Sequence, residues 1–117
     1  MTASPDCLFC KIVRGEIPGD VVHRDDAITA FRDINPQAST HVLVIPNQHV
    51  VGTNDLTPEH DQLVGRLIRT AAQIAAKEGV GESGYRLTVN CGPDAGQLVK
   101  HLHFHLLGGR PMGWPPG

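Results

Sequence analysis

Near the C-terminus, the segment His101-Leu102-His103-Phe104-His105-Leu106-Leu107 alternates imidazole with apolar side chains. Alternation at period two is the pattern of a half-buried strand, so Leu102, Phe104 and Leu106 are expected on a core face and the histidines on the opposite one. Such a segment demands a sheet with one face closed and the other available for chemistry. A polar strand face is normally supplied by Thr, Ser, Lys or Glu, and imidazoles in their place point to a task beyond solubility. Alternate residues lie about 6.6 Å apart along a strand, which sets the outer imidazoles about 13 Å apart, too far to share one small metal ion with the middle one. A row of phosphate contacts suits that spacing better; a histidine-rich edge strand or part of a metal site are the alternatives.

The approach to this segment favours phosphate. Tyr85-Arg86-Leu87-Thr88-Val89 reads as a strand, and Asn90-Cys91-Gly92-Pro93-Asp94-Ala95-Gly96-Gln97 is a loop built from Gly, Pro and Asp. Glycine lets a backbone approach an anion closely and aim its N–H groups at it. The loop is thus a candidate phosphate cradle facing the imidazoles, with Gly96 and Gln97 as candidate substrate contacts. A neutral imidazole can attack phosphorus and form a covalent intermediate that water resolves, while its neighbours fix the tautomer and donate to the oxygens.

The chain has 117 residues, enough for one domain with a modest core. Its five aromatics (three Phe, one Tyr, one Trp) leave that core to Val, Ile, Leu and Ala. Acids and bases are interspersed around a formal charge of −2, with no basic stripe to follow a nucleic-acid backbone. Nothing approaches the roughly 20 apolar residues of a membrane span, and no signal-peptide pattern opens the chain. The reading is a cytoplasmic protein with no nucleic-acid or membrane partner, residues 1–6 forming a flexible leader and 7–117 a single domain. Three cysteines, two of them in Cys7-x-x-Cys10, fit a reducing compartment rather than a disulfide framework.

Taken in order, Leu8, Phe9, Ile12 and Val13 form a short helical stripe over Cys7–Arg14, closed by Gly15. Val21-Val22-His23-Arg24, the turn pair Asp25-Asp26 and Ala27–Phe31 make a hairpin. His41–Pro46 is a β-branched apolar run expected as a central strand. Thr57-Pro58-Glu59 starts a long amphipathic helix carrying Leu63, Val64, Leu67, Ile68, Ala71, Ala72 and Ala75 on one face, and Gly79 ends it. The order of elements predicts an α+β fold with a largely antiparallel sheet. His23 and His60 are expected at the surface without assigned partners.

The histidine pattern resembles the signature of the histidine triad (HIT) superfamily, and the ending Gly108-Gly109-Arg110-Pro111-Met112-Gly113-Trp114-Pro115-Pro116-Gly117 resembles that of its Hint-like branch, the purine nucleoside phosphoramidases. The likeness runs from about Cys7 to the last residue. It implies a HIT-like fold, a five-stranded antiparallel sheet with one long and one short helix, forming a two-fold homodimer. It further implies hydrolysis of phosphoramidate or related bonds at the α-phosphate of AMP-type purine nucleotides through a nucleotidyl-histidine intermediate. On the same resemblance His103 is the nucleophile, His105 and His41 contact the phosphate, and His101 supports the row. Asn90 touches the phosphate and leaving-group region, and Asp33 takes the ribose hydroxyls, although a loop position before Asn35-Pro36 also suits a plain Asx turn. Leu8, Phe9, Ile12, Ile17, Phe31, Ile34 and Leu43 line the base pocket or serve as ordinary core. Trp114 reaches the partner subunit's site.

Three residues before the first triad histidine the family usually carries Ser or Thr, and this chain has Leu98. Leucine cannot relay a proton to a departing amine, so less basic leaving groups are expected unless Gln97 or a water compensates. Two other activities share the triad: dinucleoside polyphosphate hydrolysis, against which the Trp-Pro-Pro-Gly ending speaks, and nucleotidyl transfer, whose branch carries glutamine where this chain has His105. A nucleotide-binding interaction module with weak catalysis is the reading outside enzymes, which Leu98 sustains.

Catalysis requires no cofactor in this reading, but Cys7-x-x-Cys10 has zinc-knuckle spacing and needs two further ligands, for which His49 and His101 are candidates. Bacterial relatives that the chain resembles hold structural zinc with this set. Two unliganded helix cysteines, or a thiol pair with redox chemistry, are the alternatives. Cys91, in the glycine loop, is expected as a free thiol.

Overall fold

The structure, a computed structural model, describes residues 6–117. The proposed leader lies outside the described residues except for Asp6, which is exposed. The elements run α1 (Leu8–Val13), β1 (Val21–Arg24), β2 (Ile28–Arg32), β3 (Thr40–Pro46), α2 (Asp61–Lys77), β4 (Tyr85–Val89) and β5 (Phe104–Gly108). The strands form one antiparallel sheet in the order β1-β2-β3-β5-β4, so the His41–Pro46 run is central as expected and is buried along its whole length.

Alternation along the strands gives the sheet two unlike faces. Ile28, Ala30, Val42, Val44, Phe104 and Leu106 project to one side, where Leu67, Ala71, Ile74 and Ala75 of α2 cover them. These helical positions recur at i, i+4, i+7 and i+8, a single stripe. Each fully buried Leu or Ile on it contributes on the order of 1.5–3 kcal/mol. The other face carries Phe31, Leu43 and Ile45, and the short helix α1 packs there through Phe9 and Ile12. His41 and His105 belong to this second face, with Leu43 opposite His105 in the β3–β5 register. One sheet thus closes one face under α2 and keeps its imidazoles on the other, beside the smaller apolar cluster that α1 covers.

Three local expectations need correction. The histidine strand begins at Phe104, not His101. The Leu102 N–H leaves the ladder to bond the Val50 carbonyl at 2.6 Å, which frees the chain to turn His101 inward. The long helix begins at Asp61, because Thr57-Pro58-Glu59 opens a separate 3-10 turn over Pro58–His60 in which Thr57 and His60 cap each other. His60 Nδ1 accepts from the Thr57 N–H at 2.9 Å, so this histidine has a structural partner. His23 has one as well, pairing through Nε2 with Asp25 at 2.6 Å, and the other oxygen of Asp25 accepts from the Ala27 and Ile28 N–H groups to shape the β1–β2 turn. No helix among the described residues is long and apolar enough to cross a membrane.

Candidate active site and thiol–imidazole cluster

On the open face lies a cavity of about 780 Å³. Leu8, Phe9, Ile12 and Ile17 reach it from α1 and the segment after it, Phe31, Asp33, Ile34 and Leu43 from β2, β3 and their connection, and Asn90, Gly96, His103 and His105 from the C-terminal half. Most of the residues singled out from sequence therefore do meet at one cavity. Gly96 sits at φ +79°, a left-handed conformation that closes the 93–95 turn beside the cavity. Asp33 Oδ1 accepts the Asn35 N–H at 2.8 Å, the expected Asx turn, and the residue also lines the cavity.

Gln97 and Trp114 do not line it. The Gln97 amide is spent on the chain itself, accepting from the Gly92 N–H and donating to the Val51 and Val99 carbonyls, which ties the glycine loop shut. Trp114 is 84% exposed. Leu98 stands at the cavity mouth, 92% exposed, and Val99 follows it on the wall, a lining position without a residue-type signal in sequence.

Backbone partners determine which nitrogen each imidazole presents. His103 Nδ1 lies 2.7 Å from the His101 carbonyl, which can only accept, so Nδ1 carries the proton. In its neutral form Nε2 is then the bare nitrogen. His41 is the opposite case: Nδ1 lies 3.0 Å from the Gln37 N–H, which can only donate, so the proton sits on Nε2. From there it points to His105 Nδ1 at 2.9 Å and to Asp33 Oδ2 at 3.4 Å. With Nδ1 accepting, His105 keeps its own proton on Nε2, the nitrogen left for the cavity that the ring lines. The rings of His103 and His105 are 5.0 Å apart. One offers a lone pair and the other an N–H.

Burial lowers the pKa of both supporting imidazoles. His105 is pushed down to about 4 by desolvation first, then by the neighbouring His103 and His41. His41 is lowered by desolvation against the opposing pull of Asp33. Accepting at Nδ1 requires both rings to be neutral, and burial shifts both in that direction.

His101 does not join the cavity. Its side chain is fully buried, donates Nε2–H to the Pro46 carbonyl at 2.8 Å and turns Nδ1 toward Cys7 Sγ at 3.2 Å. Cys10 Sγ and His49 Nδ1 complete a group whose ligand atoms all lie within 4.8 Å of one another. A tetrahedral ion with bonds of 2.0–2.3 Å needs ligand atoms about 3.3–3.8 Å apart. Four of the six separations are 3.2 Å (Cys7–His101), 3.3 Å (His49–His101), 3.4 Å (Cys10–His49) and 3.6 Å (Cys10–His101), and the other two are within 4.8 Å. The donor set, its spacing and the carbonyl that orients His101 all fit a structural zinc centre. The His101 side chain is thus not part of the row expected from sequence; its main chain meets that row, the carbonyl setting the His103 tautomer. Cys91 forms no disulfide, and its thiol is held below the ordinary value by a hydrogen bond with the Thr53 hydroxyl and by the Asn54 N–H.

Known proteins of similar sequence and fold point to one family. The HIT domain family model matches residues 14–112. The purine nucleoside phosphoramidase of Escherichia coli (strain K12) is 55% identical over 108 residues, spanning 92% of this chain and 91% of that protein. A 14 kDa zinc-binding protein of Zea mays is 47% identical over 112 residues, spanning 94% of this chain and 87% of that protein. The crystal structure of a HIT family hydrolase from Legionella pneumophila Philadelphia 1 superposes with a TM-score of 0.94 at 51% identity, covering 96% of this chain and all of that one.

Proposed function

The chain belongs to the HIT domain family, and from that premise we propose that it hydrolyses phosphoramidate or related bonds at the α-phosphate of purine nucleoside monophosphates. The observation that carries this reading is the pairing of a bare His103 Nε2 with a protonated His105 Nε2 on one cavity wall. His103 Nε2 attacks phosphorus as the bond to the leaving amine breaks, and the amine takes its proton from solvent water at the cavity mouth, a proton that the later hydrolysis step returns. Water then cleaves the phosphorus–nitrogen bond of the nucleotidyl-histidine, returning the imidazole and releasing the nucleotide. His105 Nε2–H donates to a non-bridging oxygen as its charge grows. The apolar wall of Phe9, Ile12, Phe31 and Leu43 takes the base, Asp33 the ribose hydroxyls and Asn90 the leaving-group side.

The cluster of Cys7, Cys10, His49 and His101 is read as a structural zinc site, whose bound ion would fasten α1 to the segment before β5. The functional unit is read as a homodimer in a reducing, cytoplasmic setting, with Trp114 serving the partner's site. A nucleotide-binding module with weak catalysis is the second reading, favoured by Leu98, which puts a side chain without a proton at the cavity mouth. The deciding experiment measures amine release from an adenosine 5′-phosphoramidate bearing a fluorogenic leaving group. Turnover by the native protein, lost in His103→Ala, establishes the hydrolase; AMP binding without turnover establishes the module.

A further inference from the structure

Beyond β5 the chain crosses the 33–39 connection. Gly109 has φ +92°, and a Cβ there would collide with the Ser39 side chain, so the crossing is close and needs glycine. The next residue, Arg110, donates Nε–H to the Gln37 carbonyl at 2.9 Å and Nη1–H to the Pro111 carbonyl at 3.1 Å. Gln37 is the residue whose N–H holds His41 Nδ1. Residues 34–37 are all exposed, and Arg110 bonds this stretch from beyond β5, on the carbonyl of the same residue whose N–H holds His41.

We propose that Arg110 is a positioning residue for the phosphate-binding imidazole, acting through Gln37 and His41 to keep the proton of His105 on the nitrogen that faces the cavity. The logic follows from donors and acceptors. While the Gln37 N–H occupies His41 Nδ1, His41 must donate from Nε2, and His105 must accept at Nδ1. If Gln37 drifts away, His41 can carry its proton on Nδ1 and accept at Nε2. His105 then donates from Nδ1 and turns a lone pair toward the cavity, where it repels an anionic oxygen instead of stabilising it. Asp33 Oδ2 also favours the proton on His41 Nε2. Under the proposed function that carboxylate is engaged by ribose hydroxyls once substrate binds, which leaves the Gln37 N–H as the group that fixes His41 in the complex. The inference rests on that function only for its kinetic consequence, since the hydrogen-bond chain exists in the free protein.

The test uses the full-length protein with 15N-labelled histidine, free and saturated with AMP. Native protein should show the 15N pattern of an Nε2–H tautomer for His41 and His105, with a scalar coupling across the His41–His105 hydrogen bond. Arg110→Met keeps the aliphatic stem and removes the donor. It should weaken that coupling, shift His105 toward the Nδ1–H tautomer in the AMP complex and lower kcat by roughly tenfold with little change in KM, a fraction of the effect of deleting an oxyanion donor outright. Arg110→Lys, which can still donate to the Gln37 carbonyl, should recover most of both. Should Arg110→Met fold less well, an ester in place of the 36–37 amide removes the Gln37 N–H alone and must reproduce the shift. Native coupling and tautomers in both altered proteins overturn the proposal. A native protein without turnover whose tautomers still respond to Arg110 overturns the proposed function and leaves the relay standing.

Discussion

His101 and His103 are two residues apart, yet they serve opposite environments. His101 gives Nε2–H to the Pro46 carbonyl and turns a bare Nδ1 on two sulfurs and a second imidazole. His103 gives Nδ1–H to the His101 carbonyl and turns a bare Nε2 toward an open cavity. The residue type is the same, and the main-chain acceptor decides which nitrogen works. Phe9 separates the two regions, with its ring 5.9 Å from His101 and 5.2 Å from His103, edge-on to both. The lesson is that for these two histidines the carbonyl behind the ring decides which nitrogen is bare. One segment can then present a bare imidazole nitrogen to the thiol cluster and another to the cavity.

The sharpest way to break the comparison is to delete each imidazole in turn. His103→Ala should lower phosphoramidate turnover by about 10⁴-fold or more, as expected for loss of a nucleophile, with little change in thermal midpoint. His101→Ala keeps the carbonyl that fixes His103. It should retain turnover within about tenfold while losing on the order of 5–15 °C of thermal midpoint, because a fully buried ring and a ligand are removed together. Similar kinetic losses in the two variants would show that the regions are not separate.

Leu98 sits where the regions meet, on the wall of the main cavity and of a smaller one of about 450 Å³ that reaches Cys7 and His49. Leu98→Ser supplies a hydroxyl at the cavity mouth. Rates across phosphoramidates of graded amine basicity should rise by on the order of 10- to 100-fold at the basic end and stay level at the acidic end. A uniform change along the series would remove Leu98 from the chemistry. Metal removal probes the other side: a strong chelator should lower the thermal midpoint by several degrees and leave the rate at low temperature within about twofold, as expected for a staple between α1 and the β5 approach.

Much of this division was legible before the fold. Period-two alternation separates Leu102, Phe104 and Leu106 from the histidines, and all three lie in the core under α2. The thiol spacing of Cys7 and Cys10 and the two histidine candidates meet in one cluster. Main-chain geometry was not legible. The strand starts late because Leu102 bonds Val50, and no residue type announces that bond. Gln97 reads as a phosphate contact from its place in a glycine loop, but its amide satisfies the loop's own backbone. The Arg110–Gln37 contact uses a carbonyl, which every residue has, so the positioning chain leaves no trace in composition or spacing.

Acid gives the finest separation of the two regions, because each fails differently as protons are added. His105 titrates at about 4 in the folded chain, lowered first by burial, against about 6.5 when unfolded. Between those values the unfolded chain binds more protons than the folded one, so the stability carried by a neutral His105 is fully present above pH 6.5. It declines as pH falls toward 4 and is constant below. His41, lowered in the same direction, adds to this decline. The loss comes from charging a ring whose Nδ1 must accept from His41, so it should not depend on the metal in solution. Failure of the thiol cluster in acid should depend on it, because protons compete with the ion for the same lone pairs. Thermal midpoints of His105→Gln and native protein, both fully chelated, should therefore converge or cross as pH is lowered from 7 to 4.5, the native protein losing more. Parallel curves would show that folding leaves the His105 pKa where the unfolded chain has it, and a native protein that gained on the variant in acid would show that His105 meets the phosphate as a cation, not as a neutral donor.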